Sequence, residues 1–143
     1  MNSIKISEHM NHQPVKFKKN MPIAQAVELF INKQQFGGPV VNDDGQVIAF
    51  LSEKDCLASM LQSTYLGESH SLVEDKMRTD VLTVSPNDTI VDIANLMMGD
   101  KPKIYPVVDE NNVLLGVITR HAVLSAIDAQ LNSNYQKGHA RLV

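Results

Sequence analysis

Residues 39–51 read PVVNDDGQVIAFL, and residues 106–118, 67 positions later, read PVVDENNVLLGVI. In each stretch two apolar, β-branched runs flank four polar residues, NDDG at 42–45 and DENN at 109–112. This arrangement is typical of a β-hairpin with a tight polar turn. Because the hairpin occurs twice without a gap in the alignment, the chain is predicted to contain two copies of one unit. A long period that occurs only twice indicates a duplicated subdomain rather than a solenoid.

The same order of elements surrounds both hairpins. An extended segment comes first, at residues 15–17 and 81–84, and helices are predicted before and after each hairpin. Each copy therefore reads β-α-β-β-α. The apolar positions of the first helix recur with helical spacing, as Ile23, Ala26, Val27, Phe30 and Ile31 and as Ile90, Ile93, Ala94, Met97 and Met98. The side chains expected to face inward from the second helix are Leu57, Met60 and Leu61, and Val123, Leu124, Ile127 and Leu131.

These patterns predict an α+β (α/β-like) fold built from two repeats, residues 6–62 and residues 73–131. A half of about 60 residues buries too little surface to be stable alone. We therefore expect the repeats to pack pseudo-symmetrically, sheet to sheet, around a central cleft. Residues 63–72 are polar and are predicted to form the linker, and residues 132–143 are predicted to form a flexible C-terminal tail.

Composition narrows the class of protein. A length of 143 residues with 43% hydrophobic content fits one globular domain. The formal net charge of −3 argues against a nucleic-acid partner held by a broad basic face. Cys56 is the only cysteine, which excludes an internal disulfide and fits a reducing compartment. There is no secretory signal and no run of about 20 apolar residues for a membrane helix. We expect a cytoplasmic protein.

The duplicated pattern resembles a known family. The order of elements, the two Pro-Val-Val strands, the turns, and the hydroxyl residues Ser52 and Thr119 that open the last helices resemble a tandem pair of cystathionine-β-synthase (CBS) domains. The resemblance implies a regulatory adenosine-containing ligand in the cleft: AMP, ADP, ATP or S-adenosylmethionine. It also implies stacking into homodimers and regulation of an enzyme, channel or transporter. No other domain is recognisable in the sequence, so we expect the regulated protein to be a separate partner.

Residues 52–55 of the first copy, SEKD, match the Ser/Thr-x-x-Asp pattern of the family. The resemblance implies that Ser52 lies near a ligand phosphate and that Asp55 accepts hydrogen bonds from ribose hydroxyls. A helix N-terminus favours an anion, and a carboxylate is a good acceptor for two vicinal hydroxyls. Alternatively, Ser52 and Asp55 form a helix-capping pair that needs no ligand. Val15 and Val40 are expected to form apolar walls for the purine.

The second copy departs from this pattern, because Ala122 stands where the first copy has Asp55. Residues 119–122 therefore keep the hydroxyl of Thr119 but lose the ribose acceptor, and a full nucleoside site is not expected there. Lys103 lies where family members often carry a basic phosphate contact. Together with Arg120 and His121 it forms a predicted cationic wall toward the cleft; the alternative is that all three are solvated surface charges.

We find no combination of nucleophile, base and orienting group in the sequence, so catalysis is not expected. His9 and His12 lack the companions of a metal site, and Cys56 has no nearby histidine, which favours a buried structural thiol. Two functions remain: an adenosine-ligand sensor that acts in trans, or a ligand-free dimerisation or scaffold module with a decayed cleft. In either case a homodimer is predicted, because the second helices carry more apolar surface than one small domain hides.

Overall fold

The structure, a computed structural model, describes residues 4–66, 71–99 and 102–138. Each repeat contains a two-stranded antiparallel sheet flanked by helices, which confirms the predicted α+β fold. The first repeat comprises a 3₁₀ turn (Ile6–Glu8), α1 (Ile23–Lys33), β1 (Gly37–Val41), β2 (Val47–Ser52) and α2 (Glu53–Leu66). The second comprises a short helix α3 (Val73–Lys76), which was not predicted, then α4 (Ile90–Met97), β3 (Ile104–Val108), β4 (Leu114–Thr119) and α5 (Arg120–Gly138).

The two hairpins are built alike. Asn42 Oδ1 accepts hydrogen bonds from the backbone N–H groups of Asp44 and Gln46, and Asp109 Oδ1 does the same at the equivalent positions of the second turn. Each turn also needs one residue with positive φ, Gly45 at 80° and Asn112 at 66°. Glycine and asparagine are the residues that adopt this conformation most readily. The local turn chemistry therefore fixes both hairpins in the predicted places.

The first strand of each repeat is shorter than predicted. Phe17 forms a single parallel bridge with Val40, and Val84 forms the equivalent bridge with Val107. The next bond of such a ladder would require an N–H group at Pro39 or Pro106. Proline has none, so regular pairing stops at one bridge in both copies.

The two repeats exchange backbone segments. Asn11, which precedes the first repeat's bridge, pairs with Val117 of β4, with N–H···O distances of 2.8 and 3.0 Å. Arg78 pairs in the same way with Phe50 of β2, at 2.8 Å in both directions. Each sheet is therefore extended by the leading segment of the other repeat. This exchange ties the halves together and places residues of both repeats along one cleft.

Each repeat has its own apolar core beside its sheet. In α2 and α5 the buried positions are Cys56 and Ser59, and Val123 and Ala126. The prediction that Leu57, Met60, Leu61, Leu124 and Leu131 face inward is wrong, since their exposed fractions are 61%, 39%, 49%, 65% and 43%; Val123 is buried as predicted. The helices are rotated so that smaller residues meet the sheet. The core of the first repeat contains Phe17, Ile23, Ala26, Phe30, Val40, Ala49, Leu51 and Cys56, and Val73 of the second repeat packs into it. The core of the second repeat contains Val84, Ile90, Ile93, Met97, Tyr105, Val107, Ile118, Val123 and Ala126, and Ile6 of the first repeat packs into it.

The predicted apolar stripe of the first helix is only partly buried. Met97 lies in the core, but Met98 is 85% exposed and Ile31 is 71% exposed. Both are the last residues of their stripes, and Met98 follows the last residue of α4. They add to an apolar surface formed by the outer faces of the helices.

Two segments predicted to be irregular are helical. Helix α2 continues to Leu66, inside the predicted linker, and α5 continues to Gly138, inside the predicted tail. Neither helix contains glycine or proline before these ends, and polar residues without such breakers can extend a helix. The remaining linker residues 67–70 and tail residues 139–143 lie outside the described residues. Among the helices that the structure describes, none has the length and apolar character required to cross a membrane.

Candidate functional site

The cleft between the repeats contains two adjoining cavities, of about 590 Å³ and about 760 Å³. Phe50, Arg78, Pro102 and Ile104 line both. Volumes in this range are typical of small-molecule sites. The first cavity is also lined by Phe36, Ser52, Glu53, Lys54 and Lys103. The second is also lined by Thr79, Asp80, Val81, Leu82 and Pro106.

The cavity wall comes from opposite repeats. Ser52 and Lys54 belong to the first repeat and stand where β2 passes into α2. The segment 79–82 and Lys103 belong to the second repeat. The pairing of Arg78 with Phe50 brings the two sides together, since it carries the leading segment of the second repeat across the end of β2.

Ser52 and Asp55 form the capping pair that the sequence left open as an alternative. Asp55 Oδ2 accepts hydrogen bonds from Ser52 Oγ at 2.8 Å and from the Ser52 backbone N–H at 3.2 Å. Ser52 Oγ in turn accepts from the Asp55 backbone N–H at 3.2 Å. Reciprocal bonds of this kind satisfy groups at the start of the helix. Both bonds that Asp55 accepts from Ser52 are made by the Oδ2 atom of its carboxylate.

The carboxylate of Asp55 also binds Arg78, a partner that the sequence did not predict. Arg78 Nη2 lies 3.1 Å from Asp55 Oδ1, and Arg78 Nε lies 3.3 Å from Asp55 Oδ2. The Asp55 side chain is 14% exposed, whereas that of Arg78 is 58% exposed. Burial alone raises the pKa of Asp55, but the hydrogen bonds from Arg78 and Ser52 outweigh it and hold the pKa below its ordinary value. The carboxylate is therefore charged and fully engaged.

Lys103 lies in the cavity with Ser52, as the cationic-wall prediction required, but Arg120 and His121 do not join it. Both are exposed at the start of α5 and are not among the described residues that line either cavity. Arg120 contributes only its backbone N–H, which donates to the Lys103 carbonyl at 2.8 Å. The cations around the first cavity are instead Lys54, Arg78 and Lys103. Thr119 accepts from the Ala122 N–H at 3.0 Å and caps α5.

The two expected purine walls are also placed differently. Val40 is fully buried in the core of the first repeat, so its side chain has no surface to offer a ligand. Val15 lines a third cavity, of about 380 Å³, which does not include Ser52. The sequence took both purine walls from the copy that holds Ser52, whereas Val81, Leu82 and Ile104 of the other copy line the two adjoining cavities of the cleft.

The remaining sequence signals take no part in this cleft. Cys56 is buried, as predicted, and burial together with the charges of Asp55 and Glu53 raises the pKa of its thiol to about 11. The neutral thiol form is therefore favoured at neutral pH. His9 and His12 are exposed. Within the described ranges, no three histidine, cysteine or acidic side chains are grouped as a metal site requires.

Comparison with known proteins adds a family to this geometry. The profile of the CBS domain matches residues 6–62 and 73–129. The uncharacterized protein MJ1225 of Methanocaldococcus jannaschii is 28% identical over 137 residues, which cover 95% of this chain and 48% of that protein. The γ-3 subunit of the 5'-AMP-activated protein kinase of Sus scrofa is 29% identical over 111 residues, covering 74% of this chain and 22% of the subunit. The chain thus spans about half or less of these relatives.

Among solved structures, the CBS-pair protein CBSX2 from Arabidopsis thaliana has a TM-score of 0.80 at 25% identity, covering 91% of this chain and 97% of that one. CBSX2 has also been crystallised in complex with AMP; that structure has a TM-score of 0.78 at 26% identity and covers 90% of this chain and 98% of the other. The likeness extends over both repeats and the cleft between them.

Proposed function

Because the chain belongs to the CBS domain family, we propose that its cleft binds an adenosine nucleotide and that the protein is a regulator rather than an enzyme. The observation that carries this proposal is the composition of the two adjoining cavities. The first cavity offers Ser52 at a helix start together with Lys54 and Lys103, and the second offers apolar surface from Val81 and Leu82. A nucleotide has matching ends, an anionic phosphate and a flat apolar base. CBSX2, a similar CBS pair, binds AMP.

The charges around the first cavity favour a phosphorylated ligand over a nucleoside. Lys54, Arg78 and Lys103 line it, Arg78 is paired with Asp55, and Glu53 is the one acidic residue among the described residues of the lining. The N-terminus of α2 opens into the same space, and the helix dipole favours an anion there. The N–H groups of Glu53 and Asp55 already donate, to the Phe36 carbonyl and to Ser52 Oγ. The phosphate of AMP, ADP or ATP is proposed to lie here. S-adenosylmethionine, which carries no phosphate, is the less suitable ligand for this wall.

Asp55 is the proposed ribose acceptor, and its use requires a change of partners. In the described structure Arg78 donates to both oxygens of the carboxylate. We propose that ribose hydroxyls replace this guanidinium and that Arg78, which is 58% exposed, turns to the ligand phosphate. The exchange keeps both charged groups paired, so its net cost is small. It also makes the cleft respond to nucleotide rather than to ribose alone.

The proposed regulation acts on a separate protein, through a homodimer located in the cytoplasm. Helices α2 and α5 expose Leu57, Leu61, Leu124 and Leu131, and equivalent surface on two copies suits closed twofold pairing. The single, buried Cys56 is consistent with a reducing compartment. Ligand exchange at Arg78 would be transmitted through the Phe50 pairing that joins the repeats.

A second function, a dimerisation module without a ligand, is favoured by one observation. Asp55 is already bound by Ser52 and Arg78, so the site is complete without a nucleotide. On this alternative the cleft is structural, and the exposed helix faces carry the whole function.

Calorimetric titration of the protein with AMP, ADP, ATP, adenosine and S-adenosylmethionine decides between the two functions. We expect AMP to bind and to raise the unfolding temperature, since a ligand at about 100 times its dissociation constant adds about 2.7 kcal/mol of stability. Asp55→Ala is expected to weaken AMP binding. Asp88→Ala is the matched control, because Asp88 accepts from the Ser85 N–H three residues earlier, as Asp55 accepts from Ser52, whereas Arg78 binds Asp55. Absence of heat and of stabilisation with every compound would support the ligand-free module.

A further inference from the structure

Gln35 makes three hydrogen bonds that place its carboxamide between two backbone segments. Its Oε1 accepts from the Val15 N–H at 3.0 Å, and its Nε2 donates to the Val15 carbonyl at 3.1 Å and to the Gly37 carbonyl at 2.7 Å. Val15 and Gly37 would be ladder neighbours if the parallel pairing of Phe17 continued. Pro39 prevents that pairing because it has no N–H, and the side chain of Gln35 takes up the unpaired groups instead.

The second repeat has the same break but no such side chain. Pro106 is the counterpart of Pro39, Leu82 of Val15, and Pro102 of Gln35. Proline has no amide to insert. Within the part of the chain that the structure describes, no hydrogen bond reaches the backbone N–H or carbonyl of Leu82. Leu82 lines the second cavity of the cleft, so its backbone N–H and carbonyl are open to a ligand. The equivalent groups of Val15 are already bonded to Gln35.

The pseudo-symmetric counterpart of the nucleotide cleft is deficient in two further respects. Ala122 stands in place of the proposed ribose acceptor Asp55, and Phe36 stands in place of Lys103. The cavity beside Val15 is lined by polar residues of the first repeat, including Asn11, Lys33 and Gln35, and Thr119 is not among the described residues around it. The space near Val15 is therefore separated from the start of α5.

We propose that Gln35 is an internal plug of this counterpart site, which limits each chain to one nucleotide. A primary carboxamide presents a donor and an acceptor side by side, and the adenine edge presents the same pair, which is why amide side chains and adenine pair in a bidentate manner. Gln35 thus bonds the same N–H and carbonyl of Val15 that an adenine base in this site would need. The proposal rests on the proposed nucleotide function of the cleft and adds its stoichiometry.

Hydrogen exchange tests the plug without any ligand. Gln35→Ala removes the acceptor of the Val15 N–H, and the exchange rate of that amide is expected to rise by about tenfold, the factor that corresponds to about 1.4 kcal/mol. Gln34→Ala is the control, because Gln34 is exposed at the end of α1. An unchanged Val15 amide in Gln35→Ala would overturn the plug.

Stoichiometry provides the second test. The wild type is expected to bind one AMP per chain in calorimetry. Ala122→Asp restores the missing ribose acceptor, and with Gln35 retained this single variant is still expected to bind one; Phe36 is left unchanged because it lines the first cavity of the cleft. Addition of Gln35→Ala is expected to give two, and Asp55→Ala in that double variant should then weaken only the original site. Two sites in the single variant, or one in the double, would overturn the plug. A wild type that binds no AMP would instead overturn the proposed function.

Discussion

Replacing Arg78 by alanine removes the guanidinium that holds Asp55 in the ligand-free cleft. In the proposed exchange, this residue opposes ribose binding in the free protein and assists phosphate binding in the complex. The substitution should therefore act in opposite directions on two ligands that differ only in phosphate. Adenosine, which needs only the carboxylate, should bind more tightly to Arg78→Ala, and AMP should bind more weakly.

The magnitudes follow from the exposure of the pair. Because Arg78 is 58% exposed, the ion pair is screened by solvent and contributes at most about 1 kcal/mol. Its removal should improve adenosine binding by up to about fivefold. A charge-assisted bond from Arg78 to phosphate is expected to contribute about 1.5–3 kcal/mol to AMP binding. The preference for AMP over adenosine should then fall by roughly 10- to 150-fold.

Titration calorimetry with both ligands measures this preference directly, and thermal unfolding checks that the variant is folded. Arg120→Ala serves as the control, since the Arg120 side chain is exposed and only its backbone contacts Lys103. The control should keep the wild-type preference. An Arg78→Ala protein that binds both ligands as the wild type does would refute the exchange, and one that loses both equally would show that Arg78 only supports the fold of the cleft.

Other outcomes follow from the same structure. Asp55→Ala should weaken AMP binding by about 1.5–3 kcal/mol in calorimetry, the range for a hydrogen bond to a charged group, and equal affinity would leave Asp55 as a cap only. The folded-state pKa of Asp55 lies below its ordinary value of 3.8, so the stability it contributes is present above pH 3.8 and is lost as the pH falls through the lower folded value. Because Arg78 helps to lower this pKa, the Arg78→Ala protein should lose less free energy of unfolding between neutral and acid pH than the wild type does. AMP affinity should fall with added salt, since the Lys103 wall is exposed, and adenosine affinity should not. Leu61→Glu combined with Leu131→Glu should give monomers in light scattering, whereas Gln62→Glu should not, and an unaltered dimer would place the interface elsewhere.

The repeat and its hairpins were predictable because their causes are local. The turn at residues 42–45 is held by Asn42, and the turn at 109–112 by Asp109, each within its own five residues. The start of α2 was also predictable, since Ser52 and Asp55 cap each other three residues apart. Hydrogen bonds between residues a few positions apart can be predicted from a single sequence.

The composition of the cleft was not predictable, because its causes lie far apart in the chain. Arg78 meets Asp55 across 23 positions, and that contact exists only because the backbone of Arg78 adds to β2. Nothing in the residues around Arg78 indicates such an exchange. The inward faces of α2 and α5 were displaced for a related reason: Cys56 and Ala126 are buried where a helix approaches a sheet closely, and small residues allow that approach.

The exchange of leading segments means that the boundary between the repeats in sequence is not their boundary in space. A fragment that ends at residue 66 would keep Asn11, the edge partner of β4, and leave behind Arg78, the edge partner of β2. Each fragment would have a sheet edge without its partner segment, and a leading segment whose pairing partner lies in the other fragment. Separate expression of the two halves should therefore yield pieces that aggregate or that recover their structure only when mixed, and loss of the first eleven residues should damage the sheet farthest from them in sequence.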